Sequence, residues 1–519
     1  MPIVRFAILL YLALLACAPA QALGDPGMVG VNLMQNYDWN RQSIFADLMK
    51  QARGWGSVAA PWDLAAPVDA NGWPTADAAA IFLTNGVNIG GTYRLSYAGR
   101  ATVSPVASSL AVRNAAYSTA TNTSTADVVV ETAATQIVLA FRGTSGGVRN
   151  VRLIRPGHTT ETFTRAFLDL MRPYSLIRTM DLMCTNGQTH VGYGNTVANW
   201  SDRTPPTYAT QNRTFGGVRA GIAWEYVIDL ANLLDKDLWV NVPDLGTDDY
   251  VRQLATLLRN RLEPERRIYL EYSNEVWNPA FESHFANLRL AEAEVAAGGS
   301  NLNADGDTDH EHWGMRRTAR RTREIEEIFR SVFGASAILT RVRPVLCGHF
   351  HLTETVTQGL DFLQRTYGPA RNILYAVCCS QYLTLSPATS ARTDLTVDQI
   401  VAEWTATLPR VQGWAVTYAG IARTYGLRLV GYEGGVMTLG AASNTAKVAA
   451  NRDPRVRGIV SQLVTSFLAA GGETLCYFAA ATAYDQYGTY GITDDVTHLD
   501  TPKRQGLADV LAAPRPAAR

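Results

Sequence analysis

Eight short apolar runs, spaced by helical stretches and interrupted once by alternating β-type sequence, predict an α/β chain. The architecture is a (β/α)8 barrel of TIM type with an antiparallel β-sandwich inserted between barrel strands one and two. The runs are 28–34 (MVGVNLM), 176–184 (LIRTMDLMC), 237–243 (DLWVNVP), 268–274 (IYLEYSN), 342–349 (VRPVLCGH), 373–379 (ILYAVCC), 428–433 (RLVGYE) and 474–479 (TLCYFA). They are apolar on both faces, as parallel strands covered by helices must be. Between them, Phe163, Ala166, Phe167, Leu170 and Met171 repeat at helical spacing, as do Trp224, Val227, Ile228, Ala231 and Leu234. Eight alternating strand–helix units of this kind close into a barrel.

The interruption is residues 87–155, rich in Thr, Val, Ala and Ser. Tyr93, Leu95 and Tyr97 alternate with polar neighbours, and ADVVVET, QIVLAFRG and VRNVRLIRPG follow with turn residues between them. That pattern belongs to an antiparallel sandwich. The expected organisation is a leader at 1–22, a barrel formed by 23–60 and 158–515, and the inserted unit at 61–157. An insertion after strand one emerges on the C-terminal face, where barrel active sites lie.

Bulk composition excludes several partners. Lys plus Arg and Asp plus Glu both total 46 in 519 residues, so there is no basic surplus to neutralise nucleic acid. A neutral substrate suits this balance, and 11 Trp with 22 Tyr supply flat amphipathic faces that suit sugar rings. The start, MPIVRFAILLYLALLACAPAQA, has a basic Arg5, an apolar run too short to span a bilayer, and the A-x-A site Ala20-Gln21-Ala22. It reads as an export signal, so the protein is expected outside the cytoplasm, secreted, periplasmic or on the cell surface. A second reading takes Leu14–Cys17 as a lipid-attachment box with the anchor on Cys17. No later segment is apolar enough to span a membrane. Cys184, Cys347, Cys378, Cys379 and Cys476 all sit in apolar runs and read as buried free thiols. No His or Cys cluster has metal-ligand spacing, and nothing calls for a cofactor.

The chemistry concentrates where IYLEYSN breaks into Glu275, Val276 and Trp277. Glu275 falls just past strand four, and Glu433 ends strand seven, 158 residues later, before Gly434-Gly435. A barrel brings those two strand ends to opposite sides of one mouth. Two facing carboxyls are what glycoside hydrolysis requires, one to protonate the leaving oxygen and one to attack the anomeric carbon. Either glutamate alone reads equally well as a solvated loop residue; both at these strand ends do not.

Asn274-Glu275 on strand four with Glu433 on strand seven resembles clan A of the glycoside hydrolases, retaining barrel enzymes of cellulase-like type. YSNEVWN, the inserted sandwich and the closing YGITDD…TPKRQGL are similar to secreted bacterial proteins of that kind. The resemblance covers essentially the whole mature chain. It implies Glu275 as acid/base, Glu433 as nucleophile, and Asn274 at the sugar 2-hydroxyl. Arg178 on strand two then pairs with the nucleophile, with a structural ion pair to Asp181 as the alternative, and Tyr382 after strand six hydrogen-bonds it. Trp277 reads as a sugar platform or a packing residue, and His349 and His351 as cleft or loop residues. The chain departs from the clan where strand eight lacks a tryptophan (TLCYFAAATAYDQYGTYG) and where NVPDLGTDDY lacks a histidine.

Two motifs are decoys. GTSGG at 143–147 fits the nucleophile-elbow pattern around Ser145, but β-type sequence continues on both sides, so a hairpin is expected. DGDTDHEH at 305–312 resembles a calcium loop, yet has His310 and Arg316 where glycine and glutamate are needed, and reads as a solvated loop before a helix. The functional expectation is a secreted retaining glycosidase cleaving β-glycosidic bonds of a polysaccharide or oligosaccharide. The alternatives are a non-catalytic carbohydrate-binding or cell-surface protein on the same barrel and, less favoured without an elbow, an esterase.

Overall fold

A computed structural model describes residues 27–186, 197–212 and 221–516; the expected leader, with its cleavage site and Cys17, lies outside the described residues. The eight apolar runs form one closed barrel in chain order: Val29–Asn32, Leu176–Arg178, Asp237–Val242, Ile268–Tyr272, Val342–Cys347, Ala376–Leu383, Arg428–Val436 and Gly472–Tyr477. Every neighbouring pair is parallel, and the ring closes between the first and last strands. Strand six starts later and runs further than its apolar run. A 3-10 turn at Ala370–Asn372 precedes it, and the polar Ser380-Gln381 stay paired to strand seven. Among the described residues no helix is long and apolar enough to cross a bilayer.

Alternation decides what each strand residue touches. Ile268, Leu270 and Tyr272 join Leu238 and Val240 in the layer between sheet and helices. Tyr269 and Trp239 fill the barrel interior with Leu176, Val345, Val430 and Tyr432, their two rings stacked at 5.4 Å. The helices follow their apolar stripes: Arg165–Met171 buries Phe167, Leu170 and Met171, with Ala166 half-covered and Phe163 buried just before it, and Trp224–Leu234 buries all five residues that marked it. The loop at 305–309 ends in Asp309, whose carboxylate caps the helix His310–Phe333. Asp305 and Asp307 accept from the buried Arg316, so these acids serve a guanidinium.

Between strands one and two stand two four-stranded antiparallel sheets. One is ordered Trp55–Gly56, Ala78–Leu83, Ile137–Arg142, Thr102–Pro105; the other Leu110–Ser118, Thr123–Val130, Gly91–Ala98, Arg149–Ile154. Their inner faces interlock through Tyr93, Leu95, Tyr97, Val128, Leu139 and Phe141. Ala78–Leu83 lacks the alternation of the other strands because it is buried along its whole length. GTSGG does not close a hairpin as expected. It joins Ile137–Arg142 in one sheet to Arg149–Ile154 in the other, and no helix follows Ser145. Gly147 is required there: its φ is +82°, and a Cβ would lie 1.8 Å from the Pro74 carbonyl oxygen.

Asp38, in the loop leaving strand one, fastens this unit to the barrel. Its buried carboxylate accepts two bonds from Arg53, at 2.9 and 3.0 Å, and one from the Thr84 hydroxyl at 2.7 Å.

The expectation of free thiols holds only in part. Cys347 and Cys378 form a disulfide, while Cys184, Cys379 and Cys476 are free and buried. Cys347 and Cys378 are register partners on strands five and six, and parallel pairing brings their Cα atoms to 4.4 Å. Non-reducing peptide mapping is expected to recover these two cysteines in one linked fragment. With a sequence separation of 31, reduction should lower unfolding free energy by about 3–4 kcal/mol in urea titrations.

Candidate active site

Strand four ends in two residues with left-handed backbone, Ser273 (φ +55°) and Glu275 (φ +41°). Such geometry is costly for residues with a Cβ and persists where surroundings enforce it. Here it breaks the extended chain and turns Glu275 into the barrel mouth. The carboxyl accepts from the Tyr432 hydroxyl at 2.6 Å and from Asn278 Nδ2 at 2.7 Å.

Strand seven carries a bulge. Its pairing with strand six steps from Cys379–Gly431 to Ser380–Glu433, leaving Tyr432 as the extra residue. Strict alternation would send Tyr432 and Glu433 to opposite faces; the bulge lets both serve the mouth. Glu433 accepts from Arg178 Nη1 at 2.6 Å on one oxygen and from the Tyr382 hydroxyl at 2.7 Å on the other. Gly434 and Gly435 follow because nothing larger fits: Cβ atoms there would lie 2.6 Å from the Gln381 carbonyl oxygen and 2.8 Å from the Tyr477 ring.

Arg178 is fully buried and reaches Glu433, not Asp181. Its Nη1 also donates to Asn32 Oδ1 at 3.0 Å, and its Nη2 donates to Glu271 at 2.9 Å and Asn274 Oδ1 at 2.6 Å. Glu271 accepts further from Trp239 Nε1 and Asn241 Nδ2, both at 2.7 Å. Asn274 is thereby held in place, its own amide donating to Asn186. Sequence reasoning missed Glu271, Asn32, Asn241 and Tyr432. Glu271 left one signal: an acid at an inward-facing position of a strand apolar on both faces needs a buried cation.

Two carboxyls have strongly raised pKa values. Burial, then the charge of Glu433, lifts Glu275 from its ordinary 4.5 to about 7, against opposing hydrogen bonds from Tyr432 and Asn278. Burial and Glu433 lift Asp181 to about 7 as well; Asp181 accepts from Gln35 Nε2 at 2.9 Å. Burial raises Glu271 too, opposed by Arg178. For Arg178, burial is outweighed by Glu271 and Glu433, so its pKa rises and it stays charged. Burial and nearby carboxylates push Tyr382 and Tyr432 far up, so both phenols keep their protons and act as donors.

The remaining expected residues fall as follows. Trp277 is half-buried, edge-on to the His349 ring at 4.9 Å, and its indole N–H has no partner among the described residues. His349 accepts backbone N–H bonds from His351 and Leu352 on Nδ1, and burial lowers its pKa to about 4. It is a neutral brace for Trp277. Where strand eight lacks tryptophan, Phe478 meets Tyr382 edge-on at 6.3 Å and Tyr490 at 5.3 Å. Charges from Asp181 and Glu433 both act on Tyr490, so these rings and acids share one cleft.

The burial of Arg178 changes what its removal should do. On sequence grounds Arg178→Ala is expected to cost turnover more than folding. With two buried glutamates losing their cation, it should also lower unfolding free energy by about 3–5 kcal/mol, measured by chemical denaturation.

The sequence matches no protein-family profile and no curated protein. Several solved structures align with it at low identity. A 4-O-α-L-rhamnosyl-β-D-glucuronidase from Fusarium oxysporum aligns at 13% identity and TM-score 0.37 over 65% of this chain, which spans 61% of the enzyme. An endo-1,4-β-xylanase from Penicillium canescens aligns at 12% identity and TM-score 0.35, covering 69% of this chain and 91% of the other. The CBM22-1 and GH10 modules of a Clostridium thermocellum endo-1,4-β-D-xylanase align at 9% identity and TM-score 0.31, covering 92% and 97%. Likenesses this distant do not bear on substrate or residue roles. The closed parallel barrel brings Asn274-Glu275, Arg178, Tyr382, Tyr432 and Glu433 into one hydrogen-bonded group.

Proposed function

We propose that the protein is a retaining glycoside hydrolase of clan A, acting on β-glycosidic bonds of a polysaccharide or oligosaccharide. The observation that carries this reading is the unequal setting of two neighbouring glutamates. Glu275 holds its proton to about pH 7, while Glu433 receives hydrogen bonds from a buried guanidinium and a protonated phenol. Paired carboxyls with contrasting environments divide acid from nucleophile.

In the first step Glu275 gives its proton to the glycosidic oxygen as the C–O bond breaks, and a Glu433 oxygen bonds to the anomeric carbon. In the second, Glu275, now ionised, takes a proton from water as the water oxygen displaces Glu433 and restores it. Asn274, fixed by Arg178, is positioned to donate to a sugar hydroxyl beside that carbon. No step calls for a metal or cofactor. The Cys347–Cys378 disulfide supports an exported protein, since such bonds persist in oxidising compartments.

Chemical rescue tests the roles. In Glu433→Gly, azide should yield a glycosyl azide of inverted configuration; in Glu275→Ala, one of retained configuration with activated leaving groups. Inactivity of the wild type on a broad panel of β-glycans and aryl β-glycosides would reject the hydrolase reading and leave the non-catalytic carbohydrate-binding alternative.

The pH profile follows from Glu275. Because its pKa is raised, the donor form is present below about 7 and lost above, so activity should fall as pH rises through about 7. Tyr432→Phe removes a hydrogen bond that lowers this pKa, and should move the alkaline limb of kcat/KM upward. An unmoved limb would show that Glu275 is not the group titrating there.

A further inference from the structure

We infer that Trp62, on the inserted unit, is a stacking platform for a further sugar ring, so that barrel and insertion together engage a glycan chain. The inference deepens the hydrolase reading and rests on it for the identity of the bound chain.

Trp62 is 49% exposed, yet it is rigidly mounted. The Arg53 guanidinium lies 5.2 Å from its ring centre and 5.0 Å from that of Trp39. Arg53 is itself fixed by both oxygens of buried Asp38. The short 3-10 turn Pro61–Asp63 that bears Trp62 is tied down by Asp63, which accepts backbone bonds from Ser57 and Ala65. It also packs so closely on Gly56 that a Cβ there would lie 1.9 Å from the Pro61 carbonyl oxygen. An indole backed by a fixed cation and open to solvent binds flat apolar faces with little loss of side-chain freedom, and the face of a pyranose is such a surface.

The platform joins the loop that leaves strand one, and that loop also reaches the acids. Gln35, in the loop leaving strand one, holds Asp181 beside Glu433. Two residues on, Tyr37 stacks on Trp39 at 4.4 Å, and Trp39 meets Arg53. A row of flat groups runs from Tyr37 through Trp39 and Arg53 to Trp62, and it starts two residues along the chain from Gln35, the partner of Asp181.

Binding and turnover tests separate this inference from the hydrolase reading. In a Glu433→Gln background, affinity electrophoresis against xylan, mixed-linkage β-glucan, galactomannan and chitosan should show retention by at least one polymer. Trp62→Ala should weaken that retention about tenfold, and Trp62→Phe should restore most of it, the behaviour of one aromatic contact. In the active protein, Trp62→Ala should raise KM for the polymer and leave hydrolysis of an aryl glycoside unchanged. Polymer binding unaffected by Trp62→Ala, or no retention of any polymer by the Trp62-containing protein, overturns the platform. Trp62-dependent binding without hydrolysis of any glycoside by the wild type keeps the platform and rejects the hydrolase.

Discussion

A single buried guanidinium organises the centre of this barrel. Arg178 sends four hydrogen bonds to side chains of strand one (Asn32), strand seven (Glu433) and strand four with its exit (Glu271 and Asn274). It also lies over the rings of Trp239 and Tyr432, 5.5 and 5.1 Å from their centres. A charge removed from water must be matched on every side, so the strands bearing its partners are constrained in position as well as in pairing. Buried ion networks seldom add net stability over an apolar core of the same volume. The arrangement is better understood as a positioning device, in which desolvation is offset by acids whose places the site requires.

From that cation the electrostatics of the mouth follow. Glu271 answers Arg178 from within the barrel, and Glu433 answers it from the rim. Glu275 and Asp181 have no ion pair among the described residues and feel the Glu433 charge in a desolvated cleft, so both hold protons to about pH 7. Tyr432 and Tyr382 lock as donors to Glu275 and Glu433. One acid with a cation and a neighbouring acid without one is a simple route to two carboxyls in unequal settings at one mouth.

The insertion belongs to the same construction. Asp38 lies in the loop leaving strand one, yet its acceptors are filled by Arg53, just before the sheet strand Trp55–Gly56, and by Thr84, just after Ala78–Leu83. The loop carrying Gln35, Tyr37 and Trp39 is therefore braced from both sides, by the barrel through Asp181 and by the sandwich through Asp38. A unit that braces the rim is well placed to shape what the cleft admits.

Much of this was legible in the chain. Eight runs apolar on both faces, and the alternation of Tyr93, Leu95 and Tyr97, are local consequences of what each strand buries, so sequence alone specified the barrel, its strand order and the inserted sheets. Strand ends also put Glu275 and Glu433 at one mouth, while Arg178 and Tyr382 are expected there only through the resemblance to clan A. Tertiary structure alone decided how they connect. The bulge that brings Tyr432 and Glu433 to the same mouth is a one-residue slip between strands six and seven, invisible to period-two patterning. The Cys347–Cys378 bond depends on the register of strands five and six. Glu271 is an incongruous acid until Arg178 arrives from 93 positions away. Periodicity reports which face a residue takes; partnership across a closed barrel is the sum of every strand's register, and no local stretch of sequence contains that sum.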